Sequence, residues 1–296
     1  MAESPLAADK VTRPSKPPFT YYGGKTKLAG AIVRLLPDHT HYVEPFAGSL
    51  AVLLSKPRSK METINDLDQD VMTFWRVLRD CPEDLARACA LTPHARAEHQ
   101  ASYDLDAPTD LERARRVWVL LTQGRGGTLR RTGWRFYRDP AGSTYSFPDY
   151  LAAYVTRMED AAARLHGVSL ECRDALEVAA DYGKHGNVLL YCDPPYLASS
   201  RNSTNYRHEL ATEQQHRDLA EVLTGAAAAV VLSGYHSPLY DELYADWHRV
   251  EMAAWTGNGI RGEATKTAGN RVEVLWSNRP IAEPNLLDVL LEGAGA

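Results

Sequence analysis

Short apolar runs alternate with amphipathic helical patterns at both ends of this chain. That alternation admits few folds besides a mostly parallel sheet covered by helices. Seven runs read as strands, at residues 42–46, 62–65, 168–172, 188–192, 228–233, 249–253 and 272–277. Five patterns between them read as helices, at 25–36, 50–55, 70–80, 212–224 and 237–245, each opening near a capping or turn residue. Residues 256–270, which join the last two strands, carry no helical pattern. Those strands are therefore expected to pair antiparallel at a sheet edge, because a parallel crossover needs a longer connection, usually with a helix.

Between residues 81 and 166 strand signals vanish and charged, Ala-rich helical patterns take over, interrupted by the loop QGRGGTLRRTG at 123–133. The expected organisation is a leader at 1–17, a catalytic domain of 18–80 and 167–279, an inserted helical domain at 81–166, and a tail at 280–296. At 296 residues and 44% hydrophobic, the chain can bury a substantial core. The leader is rich in Pro, Ser and charge and lacks the apolar core of a signal peptide. No run approaches the roughly 18 apolar residues of a membrane span. Cys81, Cys89, Cys172 and Cys192 show no CxxC spacing, and the ten histidines form no ligand-spaced pair, so neither a disulfide framework nor a metal site is expected. A cytoplasmic protein fits best, expected as a monomer with a dimer compatible.

The net charge of −5 hides an asymmetry. Residues 111–138 hold eight arginines against Glu112 alone, a local +7 that leaves −12 for the rest. A solvated helix face gives such a run, and so does a phosphate-contacting surface. Arg125, Arg130, Arg131 and Arg135 are the candidate nucleic-acid contacts, with Trp134 a wedge or a core anchor. Arg113, Arg115 and Arg116 lie on a patterned helix and are expected to solvate it.

In open α/β sheets ligands bind beyond the carboxyl ends of the strands. Three strand ends carry polar or glycine-rich residues. The first is HYVEPFAGS (41–49), where Gly48 permits close backbone approach before a helix. The second is TIND (63–66), whose Asp66 is placed either to accept ribose hydroxyls or to cap the next helix. The third is VLLYCDPPY (188–196). Its prolines fix the backbone, so the Asp193 carboxylate and the adjoining carbonyl are held as two rigid acceptors. Two such acceptors can grip one NH₂ group, as on adenine or cytosine, and draw its delocalised nitrogen toward a tetrahedral, nucleophilic form. Tyr196 offers a flat face for a base. Near the N-terminus, TYYGGKT (20–26) lacks the first glycine of a P-loop, where Phe19 stands. Gly23 and Gly24, ahead of a helix expected from Lys25, would instead bring backbone and an ammonium to a ligand carboxylate.

Tyr21 to Lys25, Glu44 to Gly48, Asp66, the insertion and Asp193 to Tyr196 stand in one order, and that order resembles the Dam-like DNA adenine N6-methyltransferases of the alpha arrangement. The similarity runs from about residue 17 to 278. It implies a seven-stranded, Rossmann-like methyltransferase sheet with an antiparallel last strand, S-adenosyl-L-methionine (AdoMet) as methyl donor, and double-stranded DNA as substrate, in a bacterial or phage setting such as restriction-modification. By position it puts Tyr21, Gly23, Gly24 and Lys25 by the methionine end of the donor. Glu44, Pro45, Phe46 and Gly48 would line the pocket, Asp66 would hold the ribose, and Asp174 would lie near the adenine ring, although helix capping explains Asp174 equally well. Asp193, Pro194, Pro195 and Tyr196 would form the catalytic motif. Where the family often has a second glycine after EPFxG, this chain has Leu50, read as a loss of easy helix packing. The polar stretch after the motif supplies Arg201, Asn205, Tyr206 and Arg207 as candidate contacts to an extruded strand. Transfer to cytosine N4 and a non-catalytic AdoMet- and DNA-binding module are the competing readings.

Overall fold

The computed structural model describes residues 14–136, 146–196, 207, 210, 212–253 and 272–281. Seven strands form one sheet in the order β3-β2-β1-β4-β5-β7-β6: β1 His41–Glu44, β2 Met61–Asn65, β3 Ser169–Glu171, β4 Val188–Cys192, β5 Ala229–Tyr235, β6 His248–Ala253 and β7 Val272–Ser277. The first five pair parallel; β7 runs antiparallel to both β5 and β6. The expected antiparallel pairing of the last two strands is present, with β6 at the edge.

The helices are α1 Ala29–Arg34, α2 Ala51–Ser55, α3 Gln69–Asp80, α4 Pro82–Ala90, α5 Arg96–Ala101, α6 Asp110–Gln123, α7 Phe147–Val155, α8 Met158–Leu165, α9 Ala175–Tyr182, α10 Glu213–Thr224 and α11 Pro238–Leu243. They cover both faces of the sheet. Tyr42, Ile64, Leu189, Tyr191 and Leu275 pack on one side with α1, α2, α3, α6 and α8. Val43, Leu190, Cys192, Leu232 and Trp276 pack on the other with α9, α10 and α11. Successive residues of a strand point to opposite faces, so strands buried on both sides read as unbroken apolar runs. All five residues of β4 are buried, as its sequence VLLYC requires. Helices α4 to α8 follow one another between β2 and β3, and apolar residues of α4, α6, α7 and α8 join the same cluster as α3 and the sheet.

The chain leaves β1 for β2 and β3 on one side, then returns across β1 to β4 and β5 on the other. Successive connections therefore diverge at β1 and β4, and a crevice opens beyond their carboxyl ends.

Two helix expectations change. The helix expected from Lys25 begins at Ala29; Gly23 takes φ +72° and Gly24 N–H donates to Tyr21 O at 3.1 Å, so Tyr21 to Lys25 is a turn rather than a helix start. Helix α9 was not anticipated, because eight residues give little periodic signal.

Candidate active site

A cavity of about 490 Å³ occupies the crevice beyond β1 and β4. Every residue expected around a cofactor lines it: Tyr21, Gly23, Gly24 and Lys25 from the N-terminal turn, Glu44, Pro45, Phe46 and Gly48 after β1, Asp66 after β2, Asp174 after β3 and Asp193 after β4. Pro195 joins them; Pro194 and Tyr196 are buried and do not line it.

The wall is tightly built where β1 ends. Gly48 has φ +44°, and a Cβ there would lie 2.9 Å from the Tyr21 ring, so glycine meets a backbone and a packing demand at once. Its N–H donates to Asp66 Oδ2 at 2.9 Å, and Trp75 Nε1 donates to its carbonyl at 2.9 Å. Asp66 also accepts from Asp68 N–H at 2.9 Å, while the cap of α3 is Asp68, which accepts from Asp70 N–H at 3.0 Å. Of the two roles open to Asp66, capping α3 thus falls to its neighbour. Asp174 does cap α9, accepting from Leu176 N–H at 2.8 Å.

Leu50 is the one described non-glycine residue at positive φ, +55° with ψ +28°, and it is fully buried. The family's second glycine is thus explained by backbone conformation and not by the packing ease inferred from sequence: the chain turns left-handed here before α2, a conformation that costs a leucine about 1 kcal/mol or more.

At the far end of the cavity, Lys25 Nζ donates to both Asp193 oxygens at 2.7 Å and to Gly23 O at 3.0 Å. It also lies 3.6 Å from Glu273 Oε1 and 5.0 Å from the centroid of the Tyr196 ring. The Tyr196 hydroxyl donates to Glu273 Oε1 at 2.6 Å, and its ring centroid is 4.3 Å from that of Tyr235. The open face expected of Tyr196 is therefore covered in this state by an ammonium and a second tyrosine. Burial raises Asp193 to about 6; Lys25 opposes the rise and Glu273 adds to it. Burial raises Glu44 to about 8, against the hydrogen bond it accepts from Tyr42 Oη at 2.9 Å. Burial pulls Lys25 down, but Asp193 and Glu273 outweigh it and hold the ammonium above the ordinary lysine value.

Glu273 is the site residue that sequence reasoning missed. The signal was an acid within the apolar strand VEVLWS, where an inward charge needs partners.

The candidate DNA contacts divide. Arg125 and Arg131 are exposed, the latter with its guanidinium 5.1 Å from the Tyr103 ring centroid; Arg130 is half-buried. Arg135, the fourth candidate, donates to Tyr150 Oη at 2.8 Å and lies over the Tyr150 ring. Trp134 stacks on His94 and Phe136, with Arg96 over its ring, as an anchor would. Arg207, a candidate contact to the extruded strand, is paired with Asp68 and Asp70, at 2.5 and 2.6 Å, on the cavity rim. Arg201, Asn205 and Tyr206 lie outside the described residues. Arg113, Arg115 and Arg116 are held by Asp70, by Glu98 and Glu112, and by Glu112. The arginine loop closes at its base through Arg125 N–H to Gly133 O and Arg135 N–H to Gln123 O, at 3.0 and 2.8 Å. Its Gly127 carbonyl accepts from Tyr22 N–H at 2.8 Å, which seats the loop beside the cavity's N-terminal turn.

Residues 21–256 match the family of D12 class N6 adenine-specific DNA methyltransferases. The chain belongs to this family. It is an N6 adenine-specific DNA methyltransferase, which settles the choice against cytosine N4 and against a non-catalytic module. A type II methyltransferase of Lactococcus lactis subsp. cremoris, M1.LlaDCHI, is 29% identical over 88% of this chain and 95% of its own length. The DNA adenine methylase of Escherichia coli K12 is 25% identical over 75% of this chain and 81% of its own length. The solved rRNA methyltransferase aviRa of Streptomyces viridochromogenes, 13% identical, aligns over 91% of this chain and 90% of its own with a TM-score of 0.34. Among the described residues of this D12 methyltransferase, no cluster of His, Cys, Asp and Glu is arranged to hold a metal ion, and no helix is long and apolar enough to cross a membrane.

Proposed function

We propose that this methyltransferase takes AdoMet as its donor, extrudes the target adenine from duplex DNA, and presents the N6 amine to the donor with Asp193 and the carbonyl that follows it. The cytoplasm is the proposed setting, and the monomer the proposed working form. The observation that carries the proposal is the seat of Asp193: a carboxylate locked by two prolines, at the switch point of the sheet, on the wall of the cavity.

The donor set fits a cationic nucleoside. Asp193, Glu44 and Asp66 line the cavity with Lys25, acid that suits the two positive charges of AdoMet. Asp66 would hold the ribose hydroxyls, Gly48 would bring backbone against the nucleoside, Glu44 would face the charged methionyl portion, and the Gly23–Gly24 turn would meet its carboxylate, with Lys25 beside it held on Asp193. When bound, AdoMet supplies an activated methyl whose bonding pair departs with sulfur. The protein does the rest. Asp193 accepts from the amine, localises its lone pair, and stabilises the positive charge that develops on nitrogen. Extrusion exposes an amine otherwise paired in the duplex, at a cost of a few kcal/mol. The arginine loop, docked on Tyr22, would offer Arg125, Arg130 and Arg131 to the phosphates.

The test is Asp193→Ala with tritiated AdoMet and DNA lacking adenine methylation. Methyl transfer falls by at least about 100-fold, the scale of losing one aimed transition-state contact, with the folded state retained in thermal melts. Wild-type rates in the variant refute the assignment.

A further inference from the structure

Asp193 is fully engaged without a substrate. Both of its oxygens accept from one ammonium at 2.7 Å, so a base amine entering the site meets an acceptor already in use. Lys25 is itself buried, so its ammonium cannot simply be pushed off the half-buried carboxylate, because an unpaired buried charge is costly. It needs another seat.

The structure contains one. Glu273 lies 3.6 Å from the same Lys25 nitrogen, on the far side from the cavity wall, and its side chain is 4% exposed. Glu273 is the one charged residue of β7, and its carboxylate faces Ser233 on β5 and Tyr196 after β4. Both hydroxyls donate to Oε1, each at 2.6 Å, which holds that oxygen in place beside Lys25. Tyr196 Oη also lies 3.3 Å from Asp193 Oδ1, so the two carboxylates share one hydroxyl as well as one ammonium. Nothing in the methyl transfer described above uses Glu273.

We propose that Glu273 is a positioning residue that receives the Lys25 ammonium when the target amine takes its place on Asp193, so that Lys25 passes between two carboxylates whose oxygens lie 2.7 and 3.6 Å from its nitrogen. This rests on the assignment of Asp193 to the amine. The exchange keeps the buried charge constant: one cation and two anions before and after, with the amine's N–H donors replacing the ammonium's on Asp193. The movement is short, because a lysine stem 3.6 Å from one partner and 2.7 Å from the other needs only a rotamer adjustment. Glu273 also holds Tyr196, through its hydroxyl, in one orientation.

The groups that face this cluster are Lys25 from the N-terminal turn, Glu44 from β1, Tyr191 and Asp193 from β4 and the segment after it, and Tyr235 from β5. Of these carboxyls, Glu273 adds to the upward shift of Asp193 and Lys25 counters it. Its charge is therefore readable in the pH dependence of the reaction, which a purely structural residue would leave in place.

Glu273→Gln keeps the shape and both hydroxyl contacts and removes the second seat. The expected result is a tenfold or greater fall in single-turnover methyl transfer to DNA lacking adenine methylation, AdoMet affinity within about threefold of wild type, and an acidic limb of the rate profile displaced below the wild-type position near 6. Glu273→Asp restores the charge one carbon back; it returns the limb to the wild-type position and recovers part of the rate. Should the glutamine variant fail to fold, the aspartate variant alone decides: a reduced rate with unchanged AdoMet affinity supports the exchange. An unaltered rate and limb in whichever variant folds overturns it. Asp193→Asn is run alongside: if it retains activity the assignment of Asp193 itself fails, whereas an inactive Asp193→Asn beside a fully active Glu273→Gln removes only the role given to Glu273.

Discussion

Two acids in the crevice beyond β1 and β4 resist ionisation for the same reason and to different degrees. Glu44 is sealed at the end of β1 with a tyrosine hydroxyl as its donor and is pushed up to about 8; Asp193 has a lysine against it and reaches only about 6. A cationic donor bound beside them favours their charged forms, so binding draws protons off, chiefly from Glu44 at neutral pH. The sign follows directly: affinity for AdoMet rises with pH as Asp193 and then Glu44 ionise, by up to about tenfold per pH unit while Glu44 titrates. Calorimetry at pH 7 in two buffers of different ionisation enthalpy should report release of a fraction of a proton per donor bound. Proton uptake, or an affinity flat from pH 6 to 9, would contradict this electrostatic picture.

At the scale of elements, what the sequence made legible were features that repeat along the chain. Strands buried on both faces announce themselves as apolar runs, and β4 and β7 were read to the residue. The strand-end motifs were legible because a glycine at φ +44° and a diproline are local demands. What stayed hidden depends on distant partners. Arg207 looks free in sequence, yet Asp68 and Asp70 hold it from across 139 and 137 positions. Glu273 looks like an outward residue of an edge strand until β7 is seen between β5 and β6. Leu50 illustrates the same limit, since the left-handed turn into α2 is visible only in the backbone. Leu50→Gly relieves about 1 kcal/mol of strain but empties a fully buried site worth more, so a net loss of roughly 2 kcal/mol is expected in chemical denaturation. The arginines of the insertion divide likewise. Arg125→Ala and Arg131→Ala should each lower the salt dependence of DNA binding by about one counterion with little change in stability. Arg115→Ala, which breaks pairs to Glu98 and Glu112 at 2.7 Å, should cost roughly 2 kcal/mol of stability and leave the salt slope alone. Equal slopes in all three variants would take the loop out of the DNA interface.

For the whole molecule these local shifts add up to a pH profile of stability, and each sign can be assigned. Glu112, bonded by Arg115, is lowered to about 2, and Glu62 is lowered because Arg164 and Lys56 outweigh its burial; their contribution is present above the ordinary carboxylate value and lost on acidification. Burial lowers His39, His41, His94 and His99, so these too favour the folded state more as pH rises to about 6.5 and their unfolded forms lose the proton. Glu44 and Asp193 act in the opposite sense. Folding holds their protons, so stability is lost from the ordinary carboxylate range upward, through about 6 for Asp193 and about 8 for Glu44. For Glu44 alone the full loss is on the order of 5 kcal/mol, of which about 2 to 3 falls between pH 6 and 8. The enzyme without its donor should therefore be most stable in weak acid, melting roughly 5 °C higher at pH 6 than at pH 8. Saturating AdoMet pairs the ionised acids with positive charge and adds about 2.7 kcal/mol at one hundred times its dissociation constant, so the difference between pH 6 and 8 should shrink in its presence. Melting curves over pH 5 to 9 with and without AdoMet test both parts: a donor that stabilises equally at every pH would mean that its charge is not met by Glu44, and the crevice would then hold it in another orientation.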